Sequence, residues 1–174
     1  MAGEVRALFR SVPVLERIRK NHGLEHATIH LLSAKRPPTS LAGRSDHRGF
    51  VLFGNVSTDA VAEAAHKALE RMRNGEHHLA VHPNCGTNFV TSGMLVGLVA
   101  FVGAISLGKT WRTRLERLPL FMSVATLTLI FTQPLGMTVQ REVTTTGLMG
   151  DLKIISITQH QAGRWTVHRI ETSS

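Results

Sequence analysis

The segment from Asn88 to Gly108 reads NFVTSGMLVGLVAFVGAISLG and contains no charged residue. A helix needs about 20 predominantly apolar residues to cross the hydrocarbon core of a bilayer. A second apolar segment runs from Leu118 to about Val139 and is interrupted by Gln133 and Pro134. The alternative for either segment is a buried core helix, but length and lack of charge favour membrane spans. The sequence therefore predicts a two-helix transmembrane hairpin within residues 89–140.

The loop between the two apolar segments is basic. It carries Lys109, Arg112, Arg114 and Arg117, with Trp111 as an interface anchor. The excess of Lys and Arg in short cytoplasmic loops would place this loop inside the cell. Against this, a long basic segment precedes the first span without the apolar core or cleavage site of a signal peptide. We favour a multi-pass protein of the bacterial inner (cytoplasmic) membrane with a cytoplasmic N-terminal domain.

The N-terminal domain is predicted to begin with a helix over residues 12–34. Ser11 is its expected N-cap, Pro13 suits its first turn, and residues 35–38 supply its end. One face follows three- and four-residue steps: Leu15, Ile18, His22, Glu25, His26, Ile29 and Ser33. Two histidines and a carboxylate thus interrupt an apolar stripe. Arg17, Arg19 and Lys20 lie on the remaining face and are expected in solvent.

The rest of this domain is predicted to contain a polar loop over residues 36–48, a strand over 49–56 and a helix over 59–73 capped by Ser57 or Thr58. The helix is expected to point one set of side chains inward: Val61, Ala64, Ala65, Ala68, Leu69 and Met72. A further short strand is predicted over residues 78–81. Strand, helix and strand in this order suggest a small α/β unit.

The C-terminal residues alternate as β-strands do over 152–159 and 164–170, which predicts a β-hairpin that completes the sheet of the first domain. The predicted fold class is an α+β membrane protein. Its small α/β cytosolic-type domain bears a metal on the N-terminal helix. The expected parts are this domain at 1–88, the transmembrane helical hairpin at 89–140 and the C-terminal β-hairpin at 141–174.

The run His22-Gly23-Leu24-Glu25-His26 carries the chemistry of the sequence. His22 and His26 lie one helical turn apart, which is the spacing for two nitrogens on one zinc ion. The order H-x-x-E-H is that of the inverzincins, in which the carboxylate, here Glu25, is the general base. Burying three such groups without partners would cost several kcal/mol, and a metal ion suits all three. His30 lies one turn further along the helix. It is either another metal ligand or a residue that supports a ligand without binding the metal itself.

A zinc site needs at least a third protein ligand, and the run His82-Pro83-Asn84-Cys85-Gly86-Thr87-Asn88 offers two candidates. His82 and Cys85 are three residues apart immediately before the first span. Cys85 is the only cysteine, so an internal disulfide is excluded, and a coordinated thiolate would explain its presence. His47, beside Asp46, is an alternative fourth ligand, but a polar pair in a loop is the favoured interpretation.

These two runs, in this order before a span, resemble those of the YqhQ-type bacterial membrane proteins, which are described as predicted metal-dependent enzymes. The chain also looks like a member of an uncharacterised bacterial domain family with no assigned role. The resemblance implies a metal site formed by His22, Glu25, His26, His82 and Cys85, and it implies no established substrate. Ala27 stands where the YqhQ type has lysine, and this chain has fewer spans.

Three functional hypotheses remain open at this stage. The first is a zinc-dependent membrane-bound hydrolase, a peptidase of H-x-x-E-H type, with Glu25 as the base. The second is a non-catalytic, metal-stabilised subunit or assembly factor of a larger membrane complex. The third is a histidine cluster satisfied by hydrogen bonds alone. The formal charge of +8 suggests anionic lipid headgroups as partners, and the absence of a recognisable motif argues against nucleic acid.

Overall fold

The structure, a computed structural model, describes residues 12–34, 40–106, 110–163 and 165–174, and within these ranges it is an α+β protein. The α-helices are α1 (Pro13–Ser33), α2 (Thr58–Arg73), α3 (Gly86–Ser106) and α4 (Trp111–Val139). The strands are β1 (Ala42–Asp46), β2 (Gly49–Phe53), β3 (Lys153–Ala162) and β4 (Trp165–Ser173). A 3₁₀ helix covers His77–Ala80, and a π-helical segment, Gln140–Thr144, follows α4.

The chain divides into two compact units, residues 1–82 with 141–174, and residues 83–140. The first unit contains one antiparallel sheet with the strand order β1-β2-β4-β3. The C-terminal hairpin was predicted to complete the sheet of the N-terminal domain. That pairing is confirmed, because β4 pairs with β2 and places Phe50 opposite Ile170. Gly49, at the start of β2, has a φ of 147°, and a Cβ there would collide with the carbonyl oxygen of Ile170.

Helix α2 matches its prediction closely. Ser57 is the N-cap, and its hydroxyl accepts a hydrogen bond from the Ala60 N–H at 3.3 Å. The helix ends at Arg73, and its C-cap Asn74 precedes Gly75, which has a φ of 100°. All six side chains predicted to point inward are buried: Val61, Ala64, Ala65, Ala68, Leu69 and Met72. They join Leu24, Phe50, Leu52 and Ile170 in the core of the first unit.

Helix α1 begins at Pro13 as predicted, but it is not a surface helix with one buried face. Its middle is buried almost all round, because it packs against α2, β1, β2 and the 3₁₀ helix. The prediction that Arg19 is solvated is wrong. Arg19 is buried and donates hydrogen bonds to the carbonyl oxygens of Glu142 and Thr145 at 3.2 and 3.0 Å. The expected cap Ser11 and the end signal at 35–38 lie outside the described residues.

Two short predictions near the sheet are wrong. Residues 42–46 were expected in a loop but form β1, whose sequence AGRSD lacks the β-branched residues typical of strands. This strand forms because it pairs with β2 through backbone hydrogen bonds. Residues 78–81 were expected as a strand, but a 3₁₀ helix covers most of them. No strand–helix–strand unit therefore forms within the described residues, and the sheet is antiparallel throughout.

The second unit consists of α3 and α4. Gly86–Ile105 and Trp111–Thr144 are each long and apolar enough to cross a membrane. Their most apolar windows are only 11% and 6% buried, which is unlike the core helix of a soluble protein. Helix α4 continues through Gln133 and Pro134, the residues that interrupt its apolar sequence. Trp111 is 74% exposed at the start of α4, and Lys109 lies outside the described residues.

Polar pairs join the two helices of the second unit. The Gln140 amide donates to the Asn88 Oδ1 at 2.5 Å, and the Thr132 hydroxyl donates to the Ser92 hydroxyl at 2.8 Å. Gly136 allows this approach, because a Cβ there would come within 2.7 Å of the Asn88 Oδ1. Residue 88 pairs with residue 140 and residue 92 with residue 132, so α3 and α4 are antiparallel. Such interhelical hydrogen bonds and small residues are typical of helix packing in membranes.

Candidate metal centre

Helix α1 carries His22, His26 and His30 on successive turns, so their rings project from one side. His26 is buried, with 2% of its surface exposed, and His22 and His30 are half-buried. The ring centroids of His22 and His26 lie 4.4 Å apart at an interplanar angle of 60°. One ring nitrogen of each lies within 4.8 Å of the other. This separation is compatible with two ligands on one metal ion.

Backbone carbonyls fix the orientation of these two rings. The Nδ1 of His22 donates to the carbonyl oxygen of Thr144 at 3.0 Å, and the Nδ1 of His26 donates to that of Ala80 at 2.7 Å. Because a carbonyl oxygen only accepts hydrogen bonds, Nδ1 carries the proton in both rings. A neutral imidazole then keeps its lone pair on Nε2. Metal-binding histidines are commonly held in this way by a partner on the other nitrogen.

Two more histidine contacts extend the row of rings. The Nε2 of His30 donates to the carbonyl oxygen of Val81 at 2.9 Å. His82, the next residue, lies with its ring centroid 4.6 Å from that of His30 and 5.8 Å from that of His26. The structure therefore brings the sequence-predicted ligand His82 to the same part of the first unit as His22 and His26. We name the set His22, His26, His30 and His82 the histidine row.

Close packing against the Thr146 backbone requires a glycine at position 23, directly after His22. A Cβ at this position would collide with the backbone carbonyl oxygen of Thr146, and the Thr146 N–H donates to the carbonyl oxygen of Arg19 at 3.2 Å. The close approach of this segment to α1 brings the Thr144 carbonyl to the His22 ring. The glycine within the motif was the available signal of a close backbone approach.

Burial favours the uncharged form of His22, His26 and His82. Desolvation, together with the positive charge that His22 would carry, lowers the pKa of His26 to about 3. Desolvation also lowers the pKa of His22, against the opposing effect of its hydrogen bond to Thr144. The pKa of His82 is lowered by desolvation and by the charge of His30. Neutral imidazoles are the form that binds metal ions.

Glu25 is buried on the side of α1 that faces β1. Its carboxylate accepts a hydrogen bond from the Ser45 hydroxyl and lies where a Cβ on Gly43 would be. Desolvation raises its pKa to about 7, although the hydrogen bond from Ser45 lowers it. The hydrogen bond of Glu25 is thus made to Ser45 on β1, whereas the rings of His22 and His26 donate to the carbonyl oxygens of Thr144 and Ala80. The role of Glu25 as a base stays a prediction.

Cys85 lies near the start of the second unit, where it is buried, and its Sγ accepts a hydrogen bond from the Thr87 N–H at 3.4 Å. Its role as a metal ligand stays a prediction. His47, His66, His77 and His78 are exposed.

Residues 17–157 match a protein family described as Domain of unknown function (DUF6391). The chain belongs to this family. The match includes the whole histidine row and both apolar helices. It confirms the expectation of a domain family with no assigned role, and it leaves the YqhQ-type resemblance as a prediction.

An uncharacterised protein from Picosynechococcus sp. (strain PCC 7002) is 39% identical to the chain over 107 residues. The match covers 56% of this chain and 52% of that protein, so the chain matches about half the length of this relative. No solved structure matches the chain.

Proposed function

We propose that the protein is a zinc-dependent, membrane-bound hydrolase whose metal is held by the Nε2 atoms of His22 and His26, with peptide bonds as its substrate class. One observation carries the metal site. Two imidazoles on adjacent turns, one half-buried and one buried, each give their Nδ1 proton to a backbone carbonyl, and in the neutral form both carry a lone pair on the other nitrogen.

His82 is the proposed third ligand, and Cys85 is a candidate for the fourth position. His82 already lies beside His26 in the histidine row. Cys85 follows His82 by three residues, and a chain of three residues spans at most about 11 Å. Imidazole and thiolate ligands suit zinc better than magnesium or calcium, which prefer oxygen ligands.

In this proposal Glu25 is the general base. Zinc supplies a Lewis acid that lowers the pKa of water. Glu25 immediately precedes His26, and its carboxylate would turn from Ser45 to accept the proton of the attacking water. Hydrogen bonds of catalytic groups often realign only when substrate binds, so the contact with Ser45 is compatible with this role.

We further propose that α3 and α4 anchor the protein in the bacterial cytoplasmic membrane, with the first unit in the cytoplasm. The two helices have the length and composition of spans. Arg112, Arg114, Arg117 and Trp111 begin α4 and would face lipid headgroups at one membrane surface. Anionic headgroups are the proposed partners of these cations.

A matched pair of variants tests the hydrolase. Glu25→Gln keeps the shape of the side chain and an acceptor for Ser45, so it should retain the metal. Turnover of a quenched fluorescent casein by the detergent-purified chain should fall by about 100-fold or more, as expected for the loss of a general base. Unchanged turnover in Glu25→Gln, with the metal still bound, would reject Glu25 as the base.

The second candidate function is a non-catalytic, metal-stabilised subunit of a larger membrane complex. The hydrogen bond between Glu25 and Ser45 favours it, because this contact gives the buried carboxylate a structural role on β1 that needs no reaction. Cys85 would then close the site as the fourth ligand, since structural zinc sites have four protein ligands. In cobalt-substituted protein, a thiolate-to-cobalt charge-transfer band that Cys85→Ser abolishes would support this closed site. Its absence from the wild type would leave the fourth position open to water.

A further inference from the structure

His30 has no role in the proposed zinc site, yet it lies in the same row of rings. His82 is a neighbour of both His26 and His30, since its ring centroid lies 5.8 Å from that of His26 and 4.6 Å from that of His30. The ring of His82 is thus closer to His30 than to His26. An imidazole with neighbours on both sides can take part in two different cation positions.

His30 is oriented as a ligand, but through the opposite nitrogen. Its Nε2 proton is given to the Val81 carbonyl at 2.9 Å, so the neutral ring keeps its lone pair on Nδ1. Val81 directly precedes His82. The same short segment therefore orients the His30 ring and carries the His82 ring. His30 and His82 are both half-buried, whereas His26 is only 2% exposed. The pair is therefore more accessible than His26.

We propose that His30 and His82 form an outer holding position for a divalent cation, from which the ion passes to His22 and His26. The inference rests on the proposed zinc binding by those two inner residues. A buried metal site requires an entry path. Because His82 belongs to both positions, the ion keeps one protein ligand during the transfer.

This role makes a kinetic prediction that differs from that of a permanent ligand. A group that acts only during loading changes the association and dissociation rates by the same factor, because their ratio fixes the Kd. A permanent ligand instead changes the Kd itself. His30→Gln distinguishes the two roles, since the glutamine amide can still donate to the Val81 carbonyl but offers no imidazole lone pair.

The experiment measures Co²⁺ binding to the detergent-purified full chain by stopped-flow absorbance, with EDTA as the competitor for dissociation. In His30→Gln we expect both rate constants to fall roughly tenfold and the Kd to stay within about twofold. His66→Gln is the control, because His66 is exposed on α2 outside the histidine row. Unchanged rates in His30→Gln would overturn the proposal, and so would a Kd weakened about tenfold or more.

His22→Gln separates this inference from the proposed function. Loss of Co²⁺ binding in His22→Gln, combined with wild-type rates in His30→Gln, would leave the zinc site standing and remove the outer position alone. Full binding by His22→Gln, or no binding by the wild type, would reject the zinc site and the outer position with it.

Discussion

The Nδ1 of His26 lies 2.7 Å from the backbone carbonyl oxygen of Ala80, at the end of the 3₁₀ helix. This hydrogen bond ties the most buried histidine of the row to the segment that carries His82. It also fixes which nitrogen of His26 keeps a lone pair. The arrangement of the candidate site therefore depends on backbone groups from outside α1.

Gly23→Ala should destabilise the protein and weaken the metal site. The new Cβ would meet the backbone of Thr146, which cannot move as easily as a side chain, and overpacking of this kind costs about 1–3 kcal/mol. Displacement of Thr144 would also loosen the hydrogen bond that orients His22. We expect a metal affinity about 10- to 100-fold lower by isothermal titration with zinc. Gly86→Ala is the control, since its Cβ would meet nothing within 4 Å; equal behaviour of the two variants would contradict the prediction.

Gly43→Ala should cost less stability than Gly23→Ala. Its Cβ would meet the carboxylate end of Glu25, a flexible side chain that can rotate away, and alanine is no worse than glycine in a strand. We expect a fall in Tm of less than about 4 °C, which corresponds to less than about 1 kcal/mol for a chain of this size. The Tm of both variants is measured by thermal unfolding in detergent. A larger fall in Tm for Gly43→Ala than for Gly23→Ala would contradict the prediction and would mean that Glu25 is held rigidly on β1.

Periodicity predicted α2 because its inward positions are small apolar residues at regular spacing, and every one of them is buried. The same reasoning failed for α1, where the polar residues Arg19 and Asn21 are buried. Arg19 donates to Glu142 and Thr145, and Asn21 donates to the carbonyl oxygen of Asp46 at 2.8 Å. Such partners lie far away in sequence, so no local pattern indicates them. For the same reason the motif predicted which side chains lie on α1 but not the carbonyls that orient them.

Stability should fall with acid because of His168. This residue is fully buried on β4, its Nε2 lies 3.3 Å from the Thr58 hydroxyl, and desolvation lowers its pKa. The unfolded chain takes up this proton below a pH of about 6.5, whereas the folded chain resists it. The free energy of unfolding therefore decreases as the pH falls below about 6.5, by at most about 1.4 kcal/mol per pH unit.

The measurement for His168 is the Tm of the wild type and of His168→Gln between pH 7.5 and pH 5, in detergent with EDTA. The comparison with the variant isolates this residue, because the raised pKa of Glu25 affects both proteins equally. Between pH 7.5 and pH 5, the Tm of His168→Gln should fall by less than the Tm of the wild type. A parallel decline in the two proteins would show that His168 does not contribute to acid sensitivity.

Thr132→Val should weaken the packing of α3 against α4. The valine keeps the shape of the side chain but removes the hydrogen bond to Ser92, and such bonds in membrane proteins contribute about 0.6 kcal/mol on average. Thr128→Val is the matched control, since the Thr128 hydroxyl donates to the Val124 carbonyl within its own helix. We expect Thr132→Val to have the lower Tm of the two. A lower Tm for Thr128→Val would contradict the observed interface.

The zinc content of the detergent-purified chain, measured by plasma mass spectrometry after dialysis against metal-free buffer, tests the central claim most directly. The account predicts about one zinc ion per chain in the wild type and in His66→Gln, and almost none in His26→Gln. A wild type without zinc, or a His26→Gln variant that keeps the full amount, would contradict it.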